Sequence, residues 1–171
     1  MTTQAEKGAA FHALHRRAGA FLIPNPWDMG SARVLAHLGF EALATTSSGF
    51  AFTLGKPDGA VSRAAMLAHV AAMVSAVDLP VSADLENGYG DSPECVAETI
   101  ALAAAAGVVG CSIEDATARP VDPIYSFDQS LRIRENVVML HDQDRNTKEE
   151  PEGDIGILCV LAVLPQEERE S

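Results

Sequence analysis

Basic residues are scarce in this chain. Lys and Arg number 12 against 24 Asp and Glu, giving a formal net charge of −12 and an isoelectric point near 4.7. A nucleic-acid binder needs clustered Lys and Arg to neutralise phosphates, so that class is excluded, and an acidic surface is repelled by anionic membranes. Long apolar runs are also lacking. The longest, Ile155 to Leu164, falls well short of the ~20 residues of a membrane-spanning helix. Met1 to Ala10 has none of the apolar character of a secretory signal. Cysteine is limited to Cys95, Cys111 and Cys159, an odd number without CxxC spacing, so the expectation is three free thiols in a reducing cytoplasm. Aromatic residues make up only 5% of the chain, which leaves Ala-rich helices packed on Val/Ile strands to form the core.

What is present is a β/α alternation over the first 125 residues. Ala5 to Arg17 has a helical apolar face of Phe11, Leu14 and His15. Ala20 to Ile23 reads as a short strand ending in the turn Pro24-Asn25-Pro26, after which Asp28 can cap a helix closed by Gly39. Phe40 to Thr46 is the second expected strand, and Ser47 to Gly59 is expected as a loop of small residues. Ser62 caps a helix to about Val77, Leu79 to Glu86 is the third strand, and Asn87 to Asp91 is a Gly-rich loop. Ser92-Pro93-Glu94 opens the next helix, with a cap, a proline at the first position and an acid in the first turn. That helix ends at Gly107, and Val108 to Glu114 is the fourth strand. Recurring strand, helix, Gly and strand implies parallel strands with right-handed crossovers. Ser126 to Gln129 has capping-box spacing and should start a fifth helix.

Residues two apart on a strand share a face, so Ser82, Asp84 and Glu86 point one way and Val81, Ala83 and Leu85 the other, towards the helices. Ser112 and Glu114 repeat the arrangement on the fourth strand, with Cys111 and Ile113 opposite. Three acids at the carboxyl ends of two neighbouring strands repel one another unless a cation sits between them. A hard dication with oxygen ligands resolves this, and Mg²⁺ takes one or two carboxylates plus waters and substrate. The alternative is that these acids cap following helices or pair with Arg119 or Arg63.

The run Asp84-Leu85-Glu86-Asn87-Gly88-Tyr89-Gly90 resembles the DxD/E-x-GYG segment of the phosphoenolpyruvate mutase/isocitrate lyase superfamily. Ser112-Ile113-Glu114-Asp115 is similar to its fourth-strand segment, Leu54-Gly55-Lys56-Pro57-Asp58 to its LGxPD loop, and Pro24 to Asp28 to its first strand end. The similarity covers about residues 8 to 130. It implies an α/β fold of the (β/α)8 TIM-barrel type and a lyase or mutase of small α-keto or α-hydroxy acids, working through a pyruvate enolate held on Mg²⁺, with Mn²⁺ as a substitute. Carried over by residue, Asp84, Glu86 and Glu114 would bind the metal directly or through water. Asp58 would assist through a water molecule, and Thr46, Ser47 and Ser48 would position the substrate carboxylate. A full barrel of this kind is expected to form homo-oligomers.

The chain also departs from that pattern. Isocitrate and methylisocitrate lyases carry a catalytic Cys in a loop after strand four, where this sequence reads Ala116 to Pro123 without Cys or His. That leaves activities of the phosphonomutase, oxaloacetate decarboxylase or acylpyruvate-cleaving type. A complete barrel takes ~250 residues, and no counterpart of strands five to eight is legible. The expected organisation is therefore a barrel truncated to about its first four β/α units over 1–140, followed by a divergent acidic tail over 141–171. That tail holds nine acids against three bases. Within it, Ile155 to Leu164 reads as either a buried strand or an orphan apolar segment. Beside the enzyme reading stand an inactive fragment that keeps only its metal ligands and a half-barrel completed by a partner.

Overall fold

The computed structural model describes residues 2–135 and 158–162. Its helices are α1 (Gln4–Arg16), α2 (Met29–His37), α3 (Ser47–Thr53), α4 (Arg63–Ala76), α5 (Pro93–Ala105) and α6 (127–135). Its strands are β1 (Leu43–Ala44), β2 (Val81–Asp84), β3 (Gly110–Glu114), β4 (Ala116–Arg119), β5 (Asp122–Ile124) and β6 (Leu158–Ala162). A four-stranded sheet in the order β1-β2-β3-β6 is parallel throughout, and β4 and β5 form a separate antiparallel hairpin.

The helix starts follow the caps in the sequence. The Asp28 carboxylate accepts from the Ser31 N–H at 2.7 Å, and the hydroxyls of Ser62 and Ser92 accept from the N–H groups of Ala65 and Cys95. These bonds satisfy donors that the first helical turn leaves without partners. Gly39 and Gly107 hold positive φ where α2 and α5 end. Along β2 and β3 the alternation holds as expected. Val81, Ala83, Leu85, Cys111 and Ile113 are buried, the last four in one core with Met66 and Val70 of α4 and Val96 and Ile100 of α5. Each such aliphatic side chain contributes about 1.5–3 kcal/mol on burial. The opposite face of the same strands carries Ser82, Asp84, Ser112 and Glu114, none of them fully buried.

Helix α1 closes the amino end of the sheet. Phe11 and Leu14 pack on Ala42 and Val109, just ahead of β1 and β3, and the Gln4 amide donates to the carbonyls of Ala104 and Val108. Lys7 is buried there, 3.2 Å from Asp78. The carboxyl end of the sheet is left for other uses.

Three segments differ from expectation. Ala20 to Ile23 makes no ladder; the chain just after it meets β1 through the Ala44 N–H donated to the Pro24 carbonyl at 3.1 Å and the Asn25 amide donated to the Ala44 carbonyl at 3.2 Å. Ser47 to Thr53 is a helix instead of a loop, capped by the Thr46 hydroxyl, which accepts from the Gly49 N–H at 3.2 Å. The segment after β3 folds back as the β4–β5 hairpin. Of the expected tail, Leu158–Ala162 is described. It is a strand, in register with β3 from Gly110↔Leu158 to Glu114↔Ala162, so this part of Ile155 to Leu164 is strand and not an orphan segment. The rest of 141–171, and the boundary near 140, lie outside the described residues. None of the described helices is long and apolar enough to cross a membrane.

Candidate functional site

The carboxyl ends of β1, β2 and β3 deliver Thr46 and Ser47, Asp84 and Glu86, and Glu114 to one edge of the sheet. A cleft of ≈ 210 Å³ opens there, lined by Ser47, Asp58, Gly59, Glu86, Asn87, Glu114 and Ala116. Asp58 reaches this cleft from the loop between α3 and α4. Its carboxylate also accepts the Gly59 N–H at 3.1 Å.

Asp84 is the most firmly held of the acids. Its two oxygens accept from the Ser47 N–H at 2.9 Å and the Glu86 N–H at 3.2 Å, and its own N–H donates to the buried Thr45 hydroxyl at 3.0 Å. β2 ends at Asp84, and Glu86 then adopts φ 50°, an unusual conformation for a non-glycine residue. This turn puts the Glu86 carboxylate within 3.3 Å of the Tyr89 hydroxyl, which donates to it. The Glu114 N–H donates to the Glu86 carbonyl at 2.7 Å, tying the ends of β2 and β3 together.

The acids perturb one another. Partial burial pushes the Glu86 carboxyl up to about 7; the Tyr89 bond opposes this, and the charges of Asp58, Asp84 and Glu114 add to it. Glu114 is raised too, first by partial burial and then by Asp84, Asp58 and Asp115, although its outer edge remains exposed. No Lys, Arg or His among the described residues lines the cleft. The nearby arginines are engaged elsewhere: Arg119 pairs with Asp91 at 2.7 Å and with Asp122, and Arg63 with Glu98 at 2.8 Å. The alternative in which these cations neutralise the site is therefore not what the structure shows.

Among the described residues, no three His, Cys, Asp or Glu side chains converge closely enough to hold a metal ion by themselves. Asp84 is drawn to backbone donors and Glu86 to Tyr89, so Asp84, Glu86 and Glu114 do not form a direct cage. An acid-rich, cation-free cleft still fits Mg²⁺, which keeps several waters and takes one or two carboxylates. Among the positioning residues, Ser47 lines the cleft but its N–H is already given to Asp84. The Thr46 hydroxyl caps α3 and lies 3.3 Å from that of Ser48. Thr46, Ser48 and Asp84 are not among the residues that line the cleft; Asp84 stands behind Ser47 and Glu86, from whose N–H groups it accepts. Sequence reasoning missed Asn87, Tyr89 and Thr45 as site residues. Asn87 and Tyr89 stood in the motif run and the Gly-rich loop without a role of their own, and Thr45 within the expected strand Phe40 to Thr46.

The electrostatics give a testable pH dependence. A carboxyl raised by folding disfavours its charged form in the native state. Its contribution to stability is complete below its ordinary value near 4.5 and is lost as pH rises through about 7. Without divalent cations, Glu86→Gln should flatten the decline in melting temperature between pH 5 and 8. His69, lowered by burial, acts in the opposite sense over the same range, so the difference between the two proteins is the quantity to read. Parallel profiles for both would show that Glu86 carries no such strain.

The phosphoenolpyruvate phosphomutase family model matches residues 11–146. A Mycobacterium tuberculosis protein of uncharacterized function is 36% identical over 128 residues, covering 74% of this chain and 48% of its own length. The crystal structure of a lyase/mutase candidate from Burkholderia cenocepacia J2315 superposes with a TM-score of 0.82 at 53% identity, over 92% of this chain and 55% of the other. A phosphonopyruvate hydrolase solved with oxalate and Mg²⁺ shares the fold at a TM-score of 0.76, with 17% identity over 94% of this chain and 53% of the other. The chain thus spans about half the length of the relatives it matches.

Proposed function

This chain belongs to the phosphoenolpyruvate mutase/isocitrate lyase superfamily, a family of lyases and mutases, and we propose that its cleft is the Mg²⁺ and substrate site of an enzyme acting on small α-keto or α-hydroxy acids. The observation that carries this reading is the gathering of Asp58, Asp84, Glu86 and Glu114 at the carboxyl edge of a parallel sheet, where Glu86 and Glu114 are raised by burial and by the neighbouring acids and no cation among the described residues lines the cleft. Barrel enzymes place their chemistry at that edge.

A bound Mg²⁺ would supply positive charge to a substrate's carboxylate and keto oxygens and stabilise negative charge as a C–C or P–C bond breaks. Asp84, Glu86 and Glu114 would hold it, largely through water. The Ser47 N–H and the Thr45 hydroxyl fix Asp84 so that it does not have to reorganise on binding. The Tyr89 hydroxyl keeps Glu86 aimed along the cleft wall, and burial keeps that hydroxyl protonated by raising it well above its ordinary value. Asp58 closes the outer side of the cleft. The (β/α)8 barrel, of which these strands form the first part, belongs to this proposal. So do a small carboxylic acid as substrate and assembly into homo-oligomers.

The test is thermal unfolding of the purified chain with Mg²⁺ and oxalate, a mimic of the pyruvate enolate. At concentrations of about 100 times Kd, bound ligand stabilises by about 2.7 kcal/mol. In a chain of this size that corresponds to a rise of roughly 5–10 °C. A melting temperature that neither ligand moves would overturn the proposal. A second reading, binding without turnover, is favoured by the lack, among the described residues, of any basic side chain lining the cleft to meet the substrate's charge. Ligand-dependent stabilisation without release of pyruvate from oxaloacetate or phosphonopyruvate would support it.

A further inference from the structure

We propose that Asn87 is a substrate-binding residue of this cleft, donating its remaining amide N–H to a substrate carboxylate oxygen, and that Tyr125, Asp91 and Arg119 set its orientation. The inference rests on the reading of the cleft as a carboxylate-substrate site and adds a donor to it. The cleft is lined mostly by acceptors. Apart from the Ser47 hydroxyl, Asn87 carries the only side-chain donors among the described residues that line it.

The orientation of the Asn87 amide follows from its partners. The Tyr89 backbone N–H can only donate, so the atom it meets at 3.0 Å must be the amide oxygen. The amide nitrogen then donates to the Tyr125 hydroxyl at 3.1 Å. That hydroxyl donates in turn to Asp91 at 2.6 Å, whose other oxygen takes the Arg119 guanidinium at 2.7 Å. The same guanidinium lies 5.8 Å from the centroid of the Tyr125 ring. Tyr125 is buried, and burial with the Asp91 bond pushes its hydroxyl up to about 12, so it keeps its proton across the working range. The Gln129 amide of α6 donates to the Asp91 carbonyl at 3.2 Å, anchoring the far end of the chain of bonds. One of the two Asn87 amide hydrogens is thereby committed to Tyr125. The other has no partner among the described residues, on a side chain that forms part of the cleft wall.

A purely structural network would tie the β4–β5 hairpin to the Asn87–Asp91 loop equally well without Asn87 reaching the cleft. The two roles separate in binding. Calorimetric titration of the full chain would measure the affinity for Mg²⁺ alone and for oxalate in the presence of saturating Mg²⁺. Asn87→Ala is expected to weaken oxalate about tenfold, the worth of one hydrogen bond to a charged group, and to leave Mg²⁺ affinity within about twofold. Asn87→Asp keeps the acceptor for the Tyr89 N–H, which guards the loop, and is expected to weaken oxalate at least as much by presenting a negative charge. Tyr125→Phe removes the partner that aims the amide, and oxalate affinity should fall severalfold with Mg²⁺ affinity again preserved. Oxalate affinity unchanged in Asn87→Ala and Asn87→Asp overturns the inference, as does a parallel loss of both ligands. Failure of the unmodified chain to bind oxalate with Mg²⁺ overturns the proposed function itself, and this inference with it.

Discussion

Replacing Asp84 with alanine is expected to abolish the rise in melting temperature produced by Mg²⁺ and oxalate and to weaken Mg²⁺ by about 100-fold or more. The magnitude is anchored by partners outside the first coordination shell, whose loss typically costs 10–100-fold in metal affinity; a residue nearer the ion should cost more. Asp84 is singled out from the other acids by position. Like Asp58, it adds to the raised carboxyls of both Glu86 and Glu114, but it does so from the end of a sheet strand, β2. It is also fixed in place by the Ser47 and Glu86 N–H groups. Removing it should change the free protein in two opposed ways. Two backbone donors lose their acceptor, at about 1–3 kcal/mol for each that stays buried, while Glu86 and Glu114 are relieved of a like charge. Asp84→Asn narrows these effects, since it removes the charge and keeps one acceptor oxygen, so that only one of the two backbone donors loses its partner. Melting curves and Mn²⁺ or Mg²⁺ titrations on both variants provide the check. Undiminished metal binding in Asp84→Asn would move the candidate ion away from β2 altogether.

The parts of this site that were legible in the sequence are those set by local geometry. The parity of β2 placed Asp84 opposite Ala83 and Leu85, and the parity of β3 placed Glu114 opposite Ile113 and Cys111, because side chains alternate on any strand. The caps Asp28, Ser62 and Ser92 were legible because a cap and the N–H it satisfies lie within three residues. Strand lengths were overestimated at both ends. Leu79 to Glu86 was expected and Val81–Asp84 formed, since apolar flanks read the same whether or not a neighbour completes the ladder.

What stayed hidden depended on contacts between distant segments. The hairpin at 116–124 has no clear alternation and contains Pro120 and Pro123, so nothing in its period announces it. Its place is fixed by Arg119 reaching Asp91 and by the Tyr125 N–H donated to the Asp115 carbonyl. Asn87 was given no role of its own because its partner Tyr125 lies 38 residues away. The pairing of Leu158–Ala162 with β3 is likewise non-local, and an apolar run alone could not choose between a strand and a stray segment. The charge pattern behaved differently. An excess of acids over bases, 24 to 12, was visible in the sequence, and in the cleft partial burial, with the neighbouring acids adding to it, raises the carboxyls of Glu86 and Glu114.

Gly88→Ala is expected to cost about 2–4 kcal/mol of stability and to impair oxalate binding as a consequence. Gly88 holds φ +79°, a left-handed conformation that costs an ordinary residue roughly 1–2 kcal/mol. A methyl group there would also meet the two Val96 methyls at 2.8 and 2.9 Å and the Val96 Cα at 3.0 Å. Val96 is fully buried in the first turns of α5, so its backbone cannot retreat without dragging the helix from the core. Overpacking of this kind adds roughly 1–3 kcal/mol. Two bonds hold the same residue: the Gly88 N–H donates to the Leu85 carbonyl at 2.8 Å, and the buried Thr99 hydroxyl donates to the Gly88 carbonyl at 2.7 Å. A shift here moves Asn87 and Tyr89 on either side, and with them the donor and the Glu86 clamp of the cleft. Gly39→Ala is the control, because Gly39 has φ +89° but open space around it, so only the conformational cost applies. Urea unfolding should place the midpoint of Gly88→Ala well below that of Gly39→Ala. Adding Val96→Ala to Gly88→Ala should leave the double variant more stable than the sum of the two single losses allows. Equal midpoints for the two glycine variants would mean that the contact with Val96 is not tight, and that the loop bearing Asn87 is free to adjust.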